Sequence, residues 1–130
     1  MSVSFSVVFE AEVPPHGTLG ADHVFLARQK DNLDELALEN GLVPLTTFES
    51  YDPEDAAEFL DEEELAELPD AQWFDPAAGL AAVRALAHFL RSHADAVPGQ
   101  ADLLADMTGI EKECASAERA GVRFRFSIVP

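Results

Sequence analysis

Few residues in this chain of 130 are suited to nucleophilic chemistry. Serine, histidine and aspartate are all present, but no Gly-x-Ser-x-Gly turn exposes a serine nucleophile. The single cysteine, Cys114, falls among apolar residues at helical spacing and has no histidine near it in the sequence. We therefore interpret Cys114 as a buried core thiol, and a lone cysteine excludes a disulfide within the chain.

The four histidines are the next candidates for catalysis or metal binding. They are His16, His23, His88 and His93, and none belongs to a His-Glu-x-x-His motif or lies beside paired cysteines. His88 and His93 are five residues apart, so they do not share a helix face. We expect isolated surface or edge histidines and predict no metal site.

Carboxylates are abundant, with 25 aspartates and glutamates. Asp52, Glu54 and Asp55 lie close together but lack the glycine and the spaced oxygen ligands of an EF-hand loop. So many acids give so many possible pairs that none stands out as the carboxylates of a glycosidase. No glycine-rich loop follows a predicted strand, so no phosphate or dinucleotide site is indicated. We predict no cofactor and assign no catalytic residue.

A short basic stripe lies on the predicted helix over residues 75–93. Arg84, His88 and Arg91 are spaced by four and three residues, which makes them neighbours on the helix surface. Such a stripe is most often a solvated surface. Its functional alternatives are contact with a small anion or with the acidic part of the same chain.

The acids are concentrated in the middle of the chain. Eight Lys and Arg against 25 Asp and Glu leave a formal net charge of −17. Residues 31–83, here called the acidic segment, contain sixteen of the acids and no Lys or Arg. Like charges repel, so this pattern disfavours DNA, RNA and anionic membranes as partners. It favours a cationic partner or serves solubility.

Within the acidic segment we predict a docking surface for a basic protein. Its acids exceed what helix capping requires, and aromatic residues near two predicted helix starts are candidate anchors. The alternatives are that the aromatic residues pin a connector to the core and that the acids form a solvated surface. The predicted partner-binding residues are Tyr51, Glu58, Glu62, Glu63, Glu67 and Trp73.

Length and composition favour a single domain over residues 1–130. Hydrophobic residues make up 48% of the chain, so the high charge does not indicate disorder. The N-terminus has no basic region followed by an apolar run, and no apolar run is long enough to span a membrane. We therefore expect a cytoplasmic protein without a signal peptide.

The clearest helix is predicted over residues 75–93. Asp75 suits its N-cap and Pro76 its first position. Gly79 lowers the helix propensity but permits a close backbone approach. Its apolar half is formed by Leu80, Ala82, Val83, Leu86, Ala87, Phe89 and Leu90.

Several further segments are predicted to be helical. One begins with Asp31 as N-cap and ends at Asn40, another begins at Pro53, and a short piece capped by Asp61 buries Leu65 and Leu68. A long helix covers residues 100–120 and ends at Gly121. Residues 23–28 fit a strand or a helical turn equally, and residues 42–50 are predicted to be extended.

Both terminal segments are predicted strands, because residues 3–13 and 122–129 alternate apolar and polar side chains. Antiparallel pairing places Arg123 and Arg125 opposite Glu10 and Glu12, whereas parallel pairing places them opposite serines. Opposite charges across strands contribute about 0.2–1 kcal/mol, so we predict the antiparallel arrangement.

These elements predict a two-layer α+β fold, in which a small, mainly antiparallel sheet carries both terminal strands and three to five helices pack on it. The charge pattern favours a small acidic binding or inhibitory protein. Bacterial immunity-type proteins that neutralise a basic toxin are an analogy in size and charge alone. One alternative is a small enzyme with a histidine and carboxylates in a cleft. Another is a structural or regulatory protein whose acidic face has no specific function.

Overall fold

The two terminal strands lie side by side in a small antiparallel sheet. The computed structural model describes residues 4–51, 57–58, 60–68 and 71–129. Strand β1 spans Ser4–Val13, the short β2 spans Gly17–Leu19, and β3 spans Phe124–Val129. The sheet order is β2-β1-β3 and both pairs are antiparallel. Together with the helices below, this confirms the predicted α+β fold.

The register of β1 and β3 confirms one of the two predicted charge pairs. Two guanidinium nitrogens of Arg123 donate to the Glu10 carboxylate, the Nε over 3.0 Å. Arg125 lies opposite Val8, so the prediction that both arginines face glutamates is wrong for Arg125. The reason is the register, because in an antiparallel pair that joins Arg123 to Glu10 the residue two positions later in β3 faces the residue two positions earlier in β1.

Phenylalanines dominate the sheet face that is buried in the core. Phe5, Phe124 and Phe126 are fully buried. The Phe126 ring centroid lies 4.9 Å from that of Phe5 and 5.0 Å from that of Phe124, in tilted arrangements. Tilted pairs at this spacing are favourable beyond the area they bury. The aromatic cluster therefore fixes the strand face on which the helices pack.

Helix α3, Pro76–Ser92, follows the predicted boundaries because its start is encoded locally. Two helices precede it in the chain, α1, Val24–Glu39, and the short α2, Glu62–Glu67. The Asp75 carboxylate accepts from the Ala77 N–H over 3.0 Å. Every predicted apolar residue of this helix is buried except Phe89, which is half-buried. A Cβ added at Gly79 would overlap the Phe124 ring, which confirms a close backbone approach at this position.

Helix α4, Gln100–Ala120, packs along α3 and also contacts α1 and β1. Gly121 ends it with a left-handed φ of 68°, as its position predicted. Cys114 is fully buried on its inner face, which confirms a core thiol. Burial, helped by the charge of Glu113, raises the pKa of this thiol to about 12.

Helix α1 spans Val24–Glu39, so the prediction that Asp31 begins it is wrong. The ambiguous residues 23–28 belong to the helix, and Asp31 lies in its interior. The sequence signal failed because no side chain of α1 caps its start. Instead, the Leu26 N–H donates to the Asp106 carboxylate of α4 over 3.1 Å. This cap is tertiary and leaves no local signature.

The segment 42–50 is not extended throughout as predicted, because Leu45–Phe48 forms a 3-10 helix. Phe48 is buried there, and its ring lies 5.5 Å from those of both Phe74 and Phe124. Glu49 then forms a parallel bridge with Phe126, and Phe74 an antiparallel one with Phe124. Through these two bridges, the chain at Glu49 and at Phe74 pairs with the edge of β3 that β1 leaves open.

The short helix α2, Glu62–Glu67, has the predicted capping box between Asp61 and Glu64. Leu65 and Leu68 are half-buried rather than buried, and α2 has no buried residue. Most of the helix predicted to begin at Pro53 falls on residues 53–56 and 59, which lie outside the described residues, whereas residues 57–58 form a turn.

Candidate functional site

Tyr51, a predicted partner-binding residue, is held by the end of the sheet. Its hydroxyl accepts from the Ile128 N–H over 3.0 Å and lies 2.8 Å from the Ile128 carbonyl oxygen. The Glu49 carboxylate also contacts this hydroxyl. Burial, with the Glu49 contact second, raises the pKa of Tyr51 well above its usual value. These contacts support the alternative that Tyr51 pins its segment to the core.

Trp73 is half-buried and covers a buried arginine. The guanidinium carbon of Arg125 lies 4.4 Å from the centre of the Trp73 ring. Arg125 is 6% exposed although it lies on the outer face of the sheet. Cation–π contacts contribute about 0.5–1 kcal/mol at exposed sites and about 2 kcal/mol or more when desolvated. One ring face of Trp73 is therefore occupied by the chain itself, and the rest of the side chain is partly exposed.

The predicted glutamates of the docking surface are all exposed. Glu58 lies in a turn, and Glu62, Glu63 and Glu67 are on α2. The capping box of α2 uses Asp61 and Glu64, so these four are not needed for it. The fold brings Glu62, Glu63 and Glu67 together on one short surface helix.

The basic stripe of α3 is exposed, as a solvated surface would be. Arg84, His88 and Arg91 are all exposed on α3. Within the described part of the chain, no ion pair joins them to an acid of the acidic segment. Arg91 lies in the last turn of α3, where a positive charge is favourable to the helix dipole.

A shallow groove of about 290 Å³ lies between the second half of α1 and the loop that joins α3 to α4. Glu35 and Glu39 are exposed on its helical side, and Val97 is buried beneath it. This groove was not predicted, because its two walls are far apart in sequence. Its lining residues are Asn32, Glu35, Leu36, Glu39, Ala96, Val97 and Pro98.

His23 is the clearest departure from the sequence-based expectation. It is 4% exposed, so the prediction of a surface or edge histidine is wrong for this residue. Its Nε2–H donates to Glu113 Oε1 over 2.6 Å, and its Nδ1 lies 3.7 Å from Asp106 Oδ1. We call His23, Asp106 and Glu113 the His23 cluster.

Two glycines make room for the His23 cluster. A Cβ at Gly109 would lie 2.7 Å from the His23 ring, and one at Gly20 would overlap Glu113 Oε2. That oxygen is buried and has no hydrogen-bond partner among the described residues. Gly109 inside a predicted helix was the available signal, since an interior helix glycine often marks close packing.

The His23 cluster has the residue types of an acid–base site but not its access. A general base has to reach its substrate directly or through one water, and His23 and Glu113 are both almost fully buried. Burial by itself lowers the pKa of His23. The hydrogen bond and the charges of Glu113 and Asp106 outweigh this and raise the pKa above its usual 6.5. The arrangement stabilises a protonated imidazole.

Compared with protein families, curated proteins and solved structures, the chain matches none of them. In the described ranges, no three His, Cys, Asp or Glu side chains are arranged to hold a metal ion. Across the same ranges, no helix combines the length and the apolar character needed to cross a bilayer. The charges, the groove and the His23 cluster are the features of the described residues that bear on function.

Proposed function

We propose that this protein is an acidic binding or inhibitory protein that docks a basic protein partner through its acidic segment. The observation that carries the proposal is α2, a helix with no buried residue and with three exposed glutamates beyond its capping box. Because this surface helix contributes no buried residue to the core, binding a partner would give it a role that packing does not. Residues 31–83 contain no Lys or Arg, so no basic residue of the same segment offsets the charge of these glutamates.

The groove beside α1 gives the proposal a second point of contact. Glu35 and Glu39 are one turn apart, and like charges at this spacing destabilise a helix by about 0.2–0.5 kcal/mol. They also lie towards the C-terminal end of α1, whose last turn has no basic residue, so the helix dipole disfavours them. A lysine or arginine side chain of the partner would relieve both repulsions.

The two kinds of contact have different roles. Exposed glutamates attract a basic partner over distance and raise the association rate about 10- to 1,000-fold at low salt. A slow dissociation rate needs a desolvated anchor, for which the partly exposed Trp73 is the aromatic candidate. The exposed aliphatic Leu38 on α1 is a second apolar contact near the groove residues in sequence.

The test begins with affinity capture from the source organism and continues with purified partners. Capture alone does not support the proposal, because a strongly acidic bait retains basic proteins nonspecifically. The captured protein must be basic, and its association with the wild-type chain must slow as salt is raised. A partner that is acidic or uncharged would contradict the proposal.

Charge variants separate a docking surface from general acidity. Changing Glu62, Glu63 and Glu67 to Gln should slow association about tenfold or more at low salt and weaken its salt dependence. The matched control removes three exposed charges elsewhere, as Glu12→Gln, Asp102→Asn and Glu118→Gln. If both triple variants associate equally fast, the acids of α2 form only a solvated surface.

The anchor role is tested through dissociation. Trp73→Ala should mainly raise the dissociation rate, and Trp73→Phe should raise it less. The Phe variant retains an aromatic ring over Arg125, so it also controls for damage to the fold. Unchanged dissociation in a folded Trp73→Ala variant would remove Trp73 from the docking surface.

A further inference from the structure

The His23 cluster joins the start of α1 to both the sheet and α4. The backbone N–H of His23 donates to the Phe5 carbonyl of β1 over 2.9 Å, and the His23 imidazole donates to Glu113 of α4. Three residues later, the Leu26 N–H donates to Asp106 of α4. The first turn of α1 is thus attached to α4 by two carboxylates, one reached by an imidazole and the other by a backbone amide.

We propose that the His23 cluster is a proton-operated latch, which holds the first turn of α1 on α4 while His23 is protonated and loosens when it is neutral. The protonated imidazole is a cation between two carboxylates. On deprotonation it keeps one N–H for Glu113, while its Nδ1 lone pair faces Asp106 3.7 Å away. Two carboxylates then remain at the site without the cation that balanced them, and burial makes that costly.

The other charged groups near His23 do not replace it. Asp106 and Glu113 are the described acids within ion-pair distance of its ring. Its sequence neighbour Asp22 accepts from the Ser4 hydroxyl at the start of β1. Further along α4, His16 Nε2 lies 3.3 Å from the Ser116 hydroxyl. The Arg119 guanidinium donates to the same hydroxyl over 3.2 Å.

The raised pKa of His23 sets the direction of the pH dependence. A histidine whose pKa is higher in the folded than in the unfolded state contributes its full stabilisation below the unfolded value of about 6.5. That contribution is lost as pH rises through the folded-state pKa. Ordinary aspartates and glutamates are already ionised in this range, and the pKa of Cys114 is raised to about 12.

The latch also affects the groove beside α1, here called the acidic groove, because α1 forms one of its walls. Loosening its first turn gives the helix that carries Glu35 and Glu39 more freedom to move. The inference stands without the proposed partner, since the isolated protein is sufficient to test it. Its failure would leave the docking proposal intact, and the reverse also holds.

The direct test is an NMR titration of the wild-type imidazoles together with amide exchange of α1. We expect His23 to titrate with a midpoint above 6.5. The protection factor of the Leu26 amide should fall as pH rises from about 6 to about 9. The fall should be tenfold for each unit by which the pKa in the latched state exceeds that in the opened state. A midpoint at or below 6.5, or protection independent of pH, would overturn the proposal.

Substitutions in the His23 cluster test whether it causes the pH dependence of Leu26 amide protection. His23→Gln retains an N–H donor for Glu113 but cannot titrate, so Leu26 protection should become nearly independent of pH. Glu113→Gln should lower the titration midpoint of His23. The matched control, His88→Gln, changes an exposed histidine of α3 and should keep the wild-type dependence. A folded His23→Gln protein with the wild-type dependence would contradict the latch, and if neither cluster variant folds, the wild-type titration decides.

Discussion

At the scale of single residues, the four histidines differ because of partners that are distant in sequence. His88 on α3 and His93 just after its end are exposed, whereas His16 is half-buried and His23 is buried. The carboxylate that receives the His23 hydrogen bond is 90 residues away. Local spacing describes what a residue's own element does. It says nothing about which acid another helix will bring to it.

Leu90 tests the predicted core at the same scale. It is fully buried between α3 and the rest of the core, so Leu90→Ala removes apolar contacts and leaves a cavity. We expect a loss of about 2–5 kcal/mol in the free energy of unfolding, measured by urea denaturation. Leu38→Ala is the matched control, because Leu38 is 70% exposed and its truncation should change stability by less than about 0.5 kcal/mol. Equal midpoints for the two variants would show that the buried face is assigned wrongly.

At the scale of elements, contact between α3 and β3 depends on a missing side chain. Gly79 lies against the fully buried Phe124 ring, and an alanine Cβ would overlap it. Helix propensity alone favours Gly79→Ala by about 1 kcal/mol, whereas overpacking a core costs about 1–3 kcal/mol. We expect overpacking to win, because the ring is enclosed by other aromatic side chains.

Gly79→Ala should therefore lower the urea midpoint despite its better helix propensity. The control is Ala81→Gly at an exposed position of the same helix, where propensity acts without a packing change. That variant should cost about 1 kcal/mol. A stabilised Gly79→Ala protein would mean that Phe124 moves aside easily and that the α3–β3 contact is not tightly packed.

The elements also differ in what they contribute to the core. Helices α3 and α4 pack along each other and bury most of their apolar residues. The short α2 buries none. An element held mainly by its own capping box opens more readily than the core helices. Such a helix can adjust to a partner at little cost to the fold.

At the scale of the whole molecule, the net charge of −17 opposes folding by self-repulsion. Adding salt from about 10 mM to about 150 mM shortens the screening length from roughly 30 Å to roughly 8 Å. We expect the urea midpoint of the wild-type protein to rise over this range. The urea midpoint of the variant with Glu62, Glu63 and Glu67 changed to Gln should rise less, because that variant has less charge repulsion to screen. A midpoint that falls with salt would mean that attractive pairs such as Glu10 with Arg123 dominate.

The sequence by itself determined the elements whose signals are local. Strand alternation fixed β1 and β3, and the charges on their outer faces predicted the antiparallel pair through Glu10 and Arg123. Asp75 and Pro76 fixed the start of α3, and Asp61 with Glu64 fixed that of α2. The capping residues lie within one turn of each other, and the alternation lies within a single strand. The charge pair joins residues 113 apart, but both belong to or adjoin strands that alternation alone predicts.

Tertiary structure alone decided the remainder. The start of α1 depends on a carboxylate of α4. The position of Arg125 depends on its contact with the Trp73 ring, and the burial of His23 depends on its hydrogen bond with Glu113. The acidic groove likewise needs two walls from different parts of the chain. Such contacts join groups that are far apart in sequence, so no periodicity or spacing records them. They exist only once the helices have packed on the sheet.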